Sequence, residues 1–473
     1  MNLATIDLEK RYSRTSELIY AGQYEEAREE LGELWAGIGE RPQLDFTPQI
    51  NAEILLQCGT LSGWLASAKQ LDAQERAKDL LSEALRIFQT LDLKTKVSEA
   101  RYELGMCYFR KGAYDEARVV LEAAINGLED EELRAKILIR QTIVEIWVGK
   151  YHEAWAMLEK AQPTFEHFSD ALKGRWHGQM ALVLRKLATA EGRADYADRA
   201  IIEFTAAIYH YEEAGHERYC AINLNNLAML LHKMERYDEA HEHLDRARTF
   251  LEKLKDVGLL TQVEETRSRV LVAEERYVEA RRVIHEVVET FEKGGEQALL
   301  ANALTLQATV EARLADYERS IETFRRAINA AEQAGALSNA GRAVISMIEE
   351  QGERLSDVEL YHAYHRADEW LAVTQDAEDI ARLRACARLV TGKLYGPAEL
   401  YEGFSLPETV LKYEARFIEK ALKEERGSIS RAARRLGLSH QTLGAIIKTR
   451  HQNLSSKRSP EIKRRRSIIP KGR

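Results

Sequence analysis

The sequence is poor in residues that interrupt or cross-link a chain: 7 prolines and 4 cysteines in 473 residues. Pro42, Pro48 and Pro163 are the only prolines before Pro397, so nothing from Thr164 to Gly396 must break a helix for want of an amide hydrogen. Cys58, Cys107, Cys220 and Cys386 stand far apart with no Cys-x-x-Cys pair, which gives no sign of a disulfide framework and reads as buried small hydrophobes in a reducing cytoplasm. No apolar run approaches the roughly 18 residues needed to cross a bilayer. The opening stretch MNLATIDLEKRYSR lacks the apolar centre of a signal peptide, so a soluble, cytoplasmic protein without membrane contact is expected.

Catalytic patterns are missing too. The pairs Gly149-Lys150 and Gly392-Lys393 have Val144 and Ala387 where a phosphate-binding loop needs its first glycine, so ATP hydrolysis is not expected. Neither a Gly-x-Ser-x-Gly elbow nor a glycine-rich dinucleotide turn is present. His241/His243 diverge on a helix, and His362/His365 have only Asp368 and Glu369 nearby, so both pairs read as surface histidines rather than metal ligands. The expectation is a protein without cofactor or metal that is not an enzyme.

What is present is a chain 45% apolar and 30% charged, ample for packed cores. Its net charge of −8 averages two unlike parts. From Glu408 onward 18 Lys and Arg face 6 Asp and Glu, a local +12, which leaves −20 on residues 1–407. Such asymmetry suits a basic end that contacts a polyanion and an acidic body with another task.

An internal period organises that body. The phrases GQYEEA, GAYDEA, GKYHEA, ERYDEA, ERYVEA and ADYERS end at Ala27, Ala117, Ala154, Ala240, Ala280 and Ser320. Ala77, Ala200 and Leu360 fill the gaps with the same four-then-three spacing as Ala117, Leu121 and Ala124, which makes nine copies, the last five 40 residues apart. In one copy, Leu104, Gly105 and Tyr108 share a face of a first helix, with Gly105 small enough for close approach. Gly112 turns the chain, and Ala117, Leu121 and Ala124 form the inward stripe of a second helix. Neither helix buries its stripe alone; stacked copies do.

The pattern Leu-Gly-x-x-Tyr, then Gly-x-Tyr-x-x-Ala-x-x-x-Leu/Phe-x-x-Ala, resembles the tetratricopeptide repeat (TPR) over about residues 5–391. Glu235 and Glu275 depart from it at the turn glycine. The resemblance implies an all-α solenoid of about nine helix pairs over 1–391, closed by a solvent-facing cap helix from Asp376 to Val390. It also implies a groove that holds a peptide or protein. Of Asn223, Asn225 and Asn226, the groove candidates are Asn223 and above all Asn226, since a carboxamide can both donate to and accept from a peptide backbone; the alternative is that all three are solvated helix positions.

Beyond Val390 two prolines and three glycines mark a linker, 392–407, with Pro407 opening a helix whose Val410, Leu411, Ala415, Ile418, Ala421 and Leu422 face a core. In GSISRAARRLGLSHQTLGAIIKTR, Ser428 is placed to cap a short helix and Gly437 to take a left-handed turn. Ser439 is placed to cap a second helix that buries Leu443 with Ile446 or Ile447 and turns Gln441, Gly444 or Ala445, and Lys448 outward. This helix-turn-helix over 408–450 resembles the Fis type of bacterial activators through Gly427, Ala432, Ala433, Leu436, Gly437, Leu438, Thr442 and Leu443. The resemblance implies double-stranded DNA as partner, with Ser430 and Arg431 at phosphates and Ser439, His440, Gln441 and Thr442 at bases and backbone. Its departures are Ser428 and His440 in place of the family's asparagine and arginine, and Gly444 and Ala445 in place of basic residues. Ala445 can still touch a thymine methyl and Gln441 can bond adenine at two atoms. In the basic tail, 451–473, Lys463, Arg464, Arg465 and Arg466 can supply phosphate contacts or reach a minor groove.

Two functions remain open on sequence alone. One is a bacterial sequence-specific transcription regulator, with room for a homodimer. The other is a scaffold whose basic end docks on RNA or an acidic protein.

Overall fold

Nine small or apolar residues at the repeat register, from Ala27 to Leu360, form the buried spine of the chain's first part: all nine are fully shielded from solvent. The structure, a computed structural model, describes residues 3–38, 40–65, 71–294, 296–372, 374, 376–395 and 405–457. It divides into two units, 1–395 and 396–473, and the described residues contain helices and no strand.

In the first unit the described residues form nine helix pairs: α1 (Leu3–Ala21) with α2 (Tyr24–Leu31), α3 (Pro48–Leu65) with α4 (Leu71–Thr90), α5 (Lys94–Arg110) with α6 (Tyr114–Ile125), α7 (Glu131–Trp147) with α8 (Tyr151–Phe165), α9 (Asp170–Glu191) with α10 (Ala194–Glu213), α11 (Glu217–Lys233) with α12 (Tyr237–Leu254), α13 (Val257–Ala273) with α14 (Tyr277–Gly294), α15 (Gln297–Arg313) with α16 (Tyr317–Gln333), and α17 (Leu337–Gln351) with α18 (Asp357–Trp370). A final helix, α19 (Ala377–Tyr395), follows.

Each register residue lies on the second helix of its pair, where a small side chain admits the first helix. A Cβ on Gly105 would lie 2.8 Å from Leu121 Cγ, and one on Gly59 would lie 2.8 Å from Leu81 Cγ, so close crossing there requires glycine. Ser320, the one hydroxyl in the register, is satisfied while buried: it donates to the Ala308 carbonyl (2.8 Å) and accepts from Gln351 (3.0 Å).

The turn inside seven of the pairs, at Gly22, Gly112, Gly149, Gly192, Glu235, Glu275 and Ala315, is left-handed whatever residue occupies it, whereas Gly352 between α17 and α18 is right-handed at φ −56°. Gly112 has φ +77°, and Glu235, Glu275 and Ala315 have φ +60°, +61° and +62°. The next amide in each case bonds five residues back, as Ala113 does to Tyr108 and Arg236 to Leu231. The departures from glycine at Glu235 and Glu275 therefore change the cost of the turn and not its shape.

Two contacts between distant parts of the array have no counterpart in the repeat pattern. Tyr24 and Tyr219 meet hydroxyl to hydroxyl at 3.0 Å, and Arg175 Nη2 donates to the Tyr20 carbonyl (2.9 Å), joining α1 and α2 to α9 and α11. At the other end, Asp376 pairs with Lys186 (3.0 Å) and Glu378 with Lys233 (2.5 Å). The expected cap helix is thus present but not wholly solvent-facing. Its acidic first turn is drawn onto α9 and α11 by their cations, and Asp379, on Arg342 at 2.7 Å, is only 4% exposed. The helix also runs through residues 392–395, where the sequence reads as linker.

The second unit comprises α20 (Leu406–Glu424), α21 (Ile429–Arg435), α22 (His440–Thr449) and a 3-10 turn at Gln452–Lys457. Ile418, Ala421, Leu422, Ala432, Ala433, Leu443, Ile447 and Leu454 form its core. Val410 (55% exposed) and Leu411 (37%) do not reach that core, contrary to the amphipathic reading, because α21 and α22 cover only the C-terminal half of α20. Leu454, beyond the expected boundary at 450, is buried in it.

Candidate functional sites

In the second unit, α22 is placed by its cap and its turn. Gly437 adopts φ +70°, which lets the Leu438 amide bond the Ala433 carbonyl (2.8 Å) and starts a new helix direction. Ser439 Oγ accepts from the Thr442 amide (3.0 Å) and lies 2.7 Å from the Thr442 hydroxyl, so the cap fixes both the first turn and the Thr442 rotamer. At α21 the expectation is corrected: Ser428 stands at the N-cap position without a side-chain cap bond. The chain enters that helix instead through Arg426 and Gly427, at φ +49° and +78°.

Leu443 and Ile447 point into the core, Ile446 packs at its edge, and His440, Gln441, Ala445 and Lys448 are exposed. Ser430 and Arg431 are exposed on α21. Arg431 is engaged within the unit, with Glu425 Oε2 at 3.1 Å and the Glu425 carbonyl at 3.1 Å, so a phosphate there has to compete with Glu425. Arg434 is exposed beside it and was not singled out from sequence. The two neighbouring arginines differ in availability: Arg435 is held by Glu424 (2.8 Å) and Glu425 (3.3 Å), whereas Arg434 has no carboxylate partner among the described residues. Lys463, Arg464, Arg465 and Arg466 lie outside the described residues.

In the first unit the two asparagines differ. Asn223 is 7% exposed; its Nδ2 donates to the Tyr219 carbonyl (2.8 Å), and its Oδ1 fills the space that a Cβ on Gly178 would take. Asn226 is half-buried and accepts from Arg185 Nη1 at 3.4 Å. Arg185 in turn lines a cavity of about 300 Å³ with Lys186, Lys233 and Arg269, into which α19 brings Asp376, Glu378 and Asp379. Burial lowers the Arg185 guanidinium to about 10.

A larger cavity, about 920 Å³, was not anticipated from sequence. Its walls come from α1, α2, α3, α5, α7, α9 and α11 and include Tyr20, Trp64, Tyr102, Tyr219, Arg140 and Arg175. Arg140 lies over Trp64 (5.3 Å) and Tyr102 (5.5 Å) and donates to the Tyr102 hydroxyl (2.9 Å). Arg175 lies over Tyr20 (4.4 Å) and Tyr219 (5.1 Å). These residues fall at different offsets from the small-residue register, so alignment of the repeats hides them.

Family comparison agrees with both readings of the motifs. The family described as bacterial regulatory protein, Fis family, matches residues 411–447, and the tetratricopeptide repeat matches residues 98–126. The chain therefore carries a Fis-family helix-turn-helix at its C-terminal end and TPR helices before it. No curated protein matches the chain. Among solved structures the array is similar to apo RapI (16% identity, 61% of this chain and 99% of that one, TM-score 0.46) and to a Rap protein complexed with competence and sporulation factor (14%, 82% and 98%, 0.47). Aspartyl phosphate phosphatase F from Bacillus subtilis is a third (14%, 85% and 98%, 0.46). Both matched families are binding modules. No described helix is long and apolar enough to cross a membrane.

Proposed function

We propose that this is a bacterial, cytoplasmic, sequence-specific DNA-binding transcription regulator, not an enzyme, whose TPR array receives a peptide or protein partner. The observation that carries the DNA reading is the division of labour on α22. Leu443 and Ile447 anchor the helix, while His440, Gln441, Ala445 and Lys448 are left on its outer side behind a capped N-terminus. A helix anchored in this way can lie in the major groove with its first turn at base edges. Gln441 then reads adenine, Ala445 meets a thymine methyl, Lys448 meets phosphate, and Ser430, Arg431, Ser439 and Thr442 position the backbone. Lys463, Arg464, Arg465 and Arg466 add sequence-independent phosphate attraction. In the array, Asn226 beside Arg185 is the better placed of the two asparagines to meet a partner.

Exposed apolar area on α20 supports a homodimer. Val410, Leu411 and Phe417 are 55%, 37% and 52% exposed, which leaves apolar area on a helix whose other side is already in the core. Selection of the full chain on random duplexes tests the whole reading. It should enrich one motif with two-fold symmetry, since half-site symmetry mirrors protein symmetry. Binding with no enriched motif would leave only a polyanion-docking protein.

A further inference from the structure

The mixed charges around the 920 Å³ cavity are almost all matched within the protein. Glu53 and Glu99 share Lys96 (3.1 and 2.8 Å), Glu132 pairs with Lys136 (2.7 Å), Glu17 with Arg14 (3.4 Å), and Asp130 caps α7 through the Leu133 amide (2.9 Å). Three charged groups on its wall stand apart from this matching. Arg140 and Arg175 have no carboxylate within 4.0 Å among the described residues; their near neighbours are aromatic rings, one phenol oxygen and one carbonyl. Glu103 has no ion-pair partner either, and burial pushes its carboxyl above the ordinary range. Alongside these, Arg175 Nε, the Tyr20 and Tyr12 hydroxyls and Gln57 Oε1 are buried without hydrogen-bond partners, and Gln57 is 4% exposed. Arg140 and Arg175 stand on a wall flanked by Tyr20, Trp64, Tyr102 and Tyr219, with Glu103 the one carboxylate there that has neither an ion pair nor a hydrogen bond among the described residues, and Arg110 lies over Trp64 at 4.2 Å.

We infer that this cavity is a binding site for a carboxylate ligand with an aromatic or apolar body, its carboxylate on Arg140 and Arg175 and its body against Tyr20, Trp64, Tyr102 and Tyr219. Guanidinium forks match a carboxylate at two atoms, and the exclusion of water by the rings strengthens each bond. The volume lies within the roughly 300–1,000 Å³ of small-molecule sites. The same chemistry is supplied by a free small acid or by the carboxyl end of a short peptide. Because Tyr20 belongs to α1 and Arg175 to α9, such a ligand also bridges the two parts of the array that meet at Tyr24 and Tyr219. The inference rests on the reading of the array as the ligand-receiving part of the protein.

The test is equilibrium dialysis of the full chain, without DNA, against four probes: 3-phenylpropionate, its amide, randomised peptides of about five residues with a free carboxyl end, and the same peptides amidated. At least one acid should bind about tenfold more tightly than its amide, as a charge-assisted pair demands, and the tighter acid identifies the source. Arg140→Gln with Arg175→Gln should erase the difference. Glu103→Gln, which removes the competing carboxylate, should strengthen acid binding by about threefold or more, a gain that misfolding cannot imitate. Equal binding of acids and amides overturns the carboxylate assignment while leaving the array a peptide receiver. No binding of any probe, tighter binding of phenyl phosphate than of either acid, or an unchanged preference in the double variant also overturns it. Operator selection is read separately and stands or falls without it.

Discussion

The left-handed turns offer a substitution whose sign runs against habit. Replacing Glu with Gly in a helical protein ordinarily destabilises, yet at positions 235 and 275, and for Ala at 315, it should stabilise. Each residue sits at φ near +60°, in the left-handed region that Gly112, Gly149 and Gly192 occupy at the same turn of other pairs. A Cβ in that conformation crowds the following carbonyl and costs about 1–2 kcal/mol. Glycine returns about 0.4–1 kcal/mol of this as extra freedom of the unfolded chain. Neither Glu235 nor Glu275 makes a side-chain hydrogen bond or ion pair among the described residues, and all that Glu275 gives up is a minor attraction to Arg313. The net gain is about 0.5–1 kcal/mol per site. It should approach about 2 kcal/mol for Glu235→Gly, Glu275→Gly and Ala315→Gly together, because sites a repeat apart add. Urea unfolding followed by far-UV circular dichroism reads this as a raised midpoint at constant slope. Glu286→Gly, at an exposed mid-helix position of α14, should lower the midpoint by the equivalent of about 1 kcal/mol. Turn variants that lower the midpoint as this control does would refute the reasoning.

Three further outcomes are expected. Ser439→Ala removes the oxygen that receives the Thr442 amide, at a cost of about 1 kcal/mol, seen as faster amide exchange in α22. Gly105→Ala forces a methyl to within 2.8 Å of Leu121 and should lower the urea midpoint, since overpacking of about 1–3 kcal/mol exceeds the helix propensity regained; Gly392→Ala, exposed with nothing nearby, should raise it by up to about 1 kcal/mol. Asp376 and Glu378 titrate below the ordinary carboxyl range: burial pushes each up, but Lys186 and Lys233 respectively pull it further down. Their contribution is therefore complete above the unfolded carboxyl values and lost as pH falls through the lower folded ones. Amide protection in the first turn of α19 should fall below about pH 4, and Lys186→Ala with Lys233→Ala should reproduce the loss at pH 7.

The periodic part of the molecule was legible because periodicity is what stacking demands. The register from Ala27 to Leu360, the close crossing at Gly105 and the turn at Gly112 all follow from spacing of small residues, and all appear in the fold. So do the turn at Gly437, the cap at Ser439 and the burial of Leu443. What spacing did not carry is contact between residues far apart in the chain. The meeting of Tyr24 with Tyr219, the cavity it helps to enclose, and the capture of Asp376 by Lys186 depend on how pairs accumulate curvature, which no single repeat encodes. Val410 and Leu411 misled for a related reason: an apolar stripe shows that a face seeks cover without naming what covers it. Ser428 has the right chemistry for a cap, but the backbone at Arg426 and Gly427 leaves its hydroxyl unused.

The central claim is that α22 reads bases. It is tested most directly by the affinity of the full chain for its selected duplex relative to a scrambled duplex, measured at one fixed salt concentration for the native protein and for Gln441→Ala. A bidentate contact to one base contributes about 1–3 kcal/mol of discrimination, so the ratio should fall by about tenfold or more while scrambled-duplex affinity holds. A ratio near one for the native protein, or one that Gln441→Ala leaves unchanged, would contradict it.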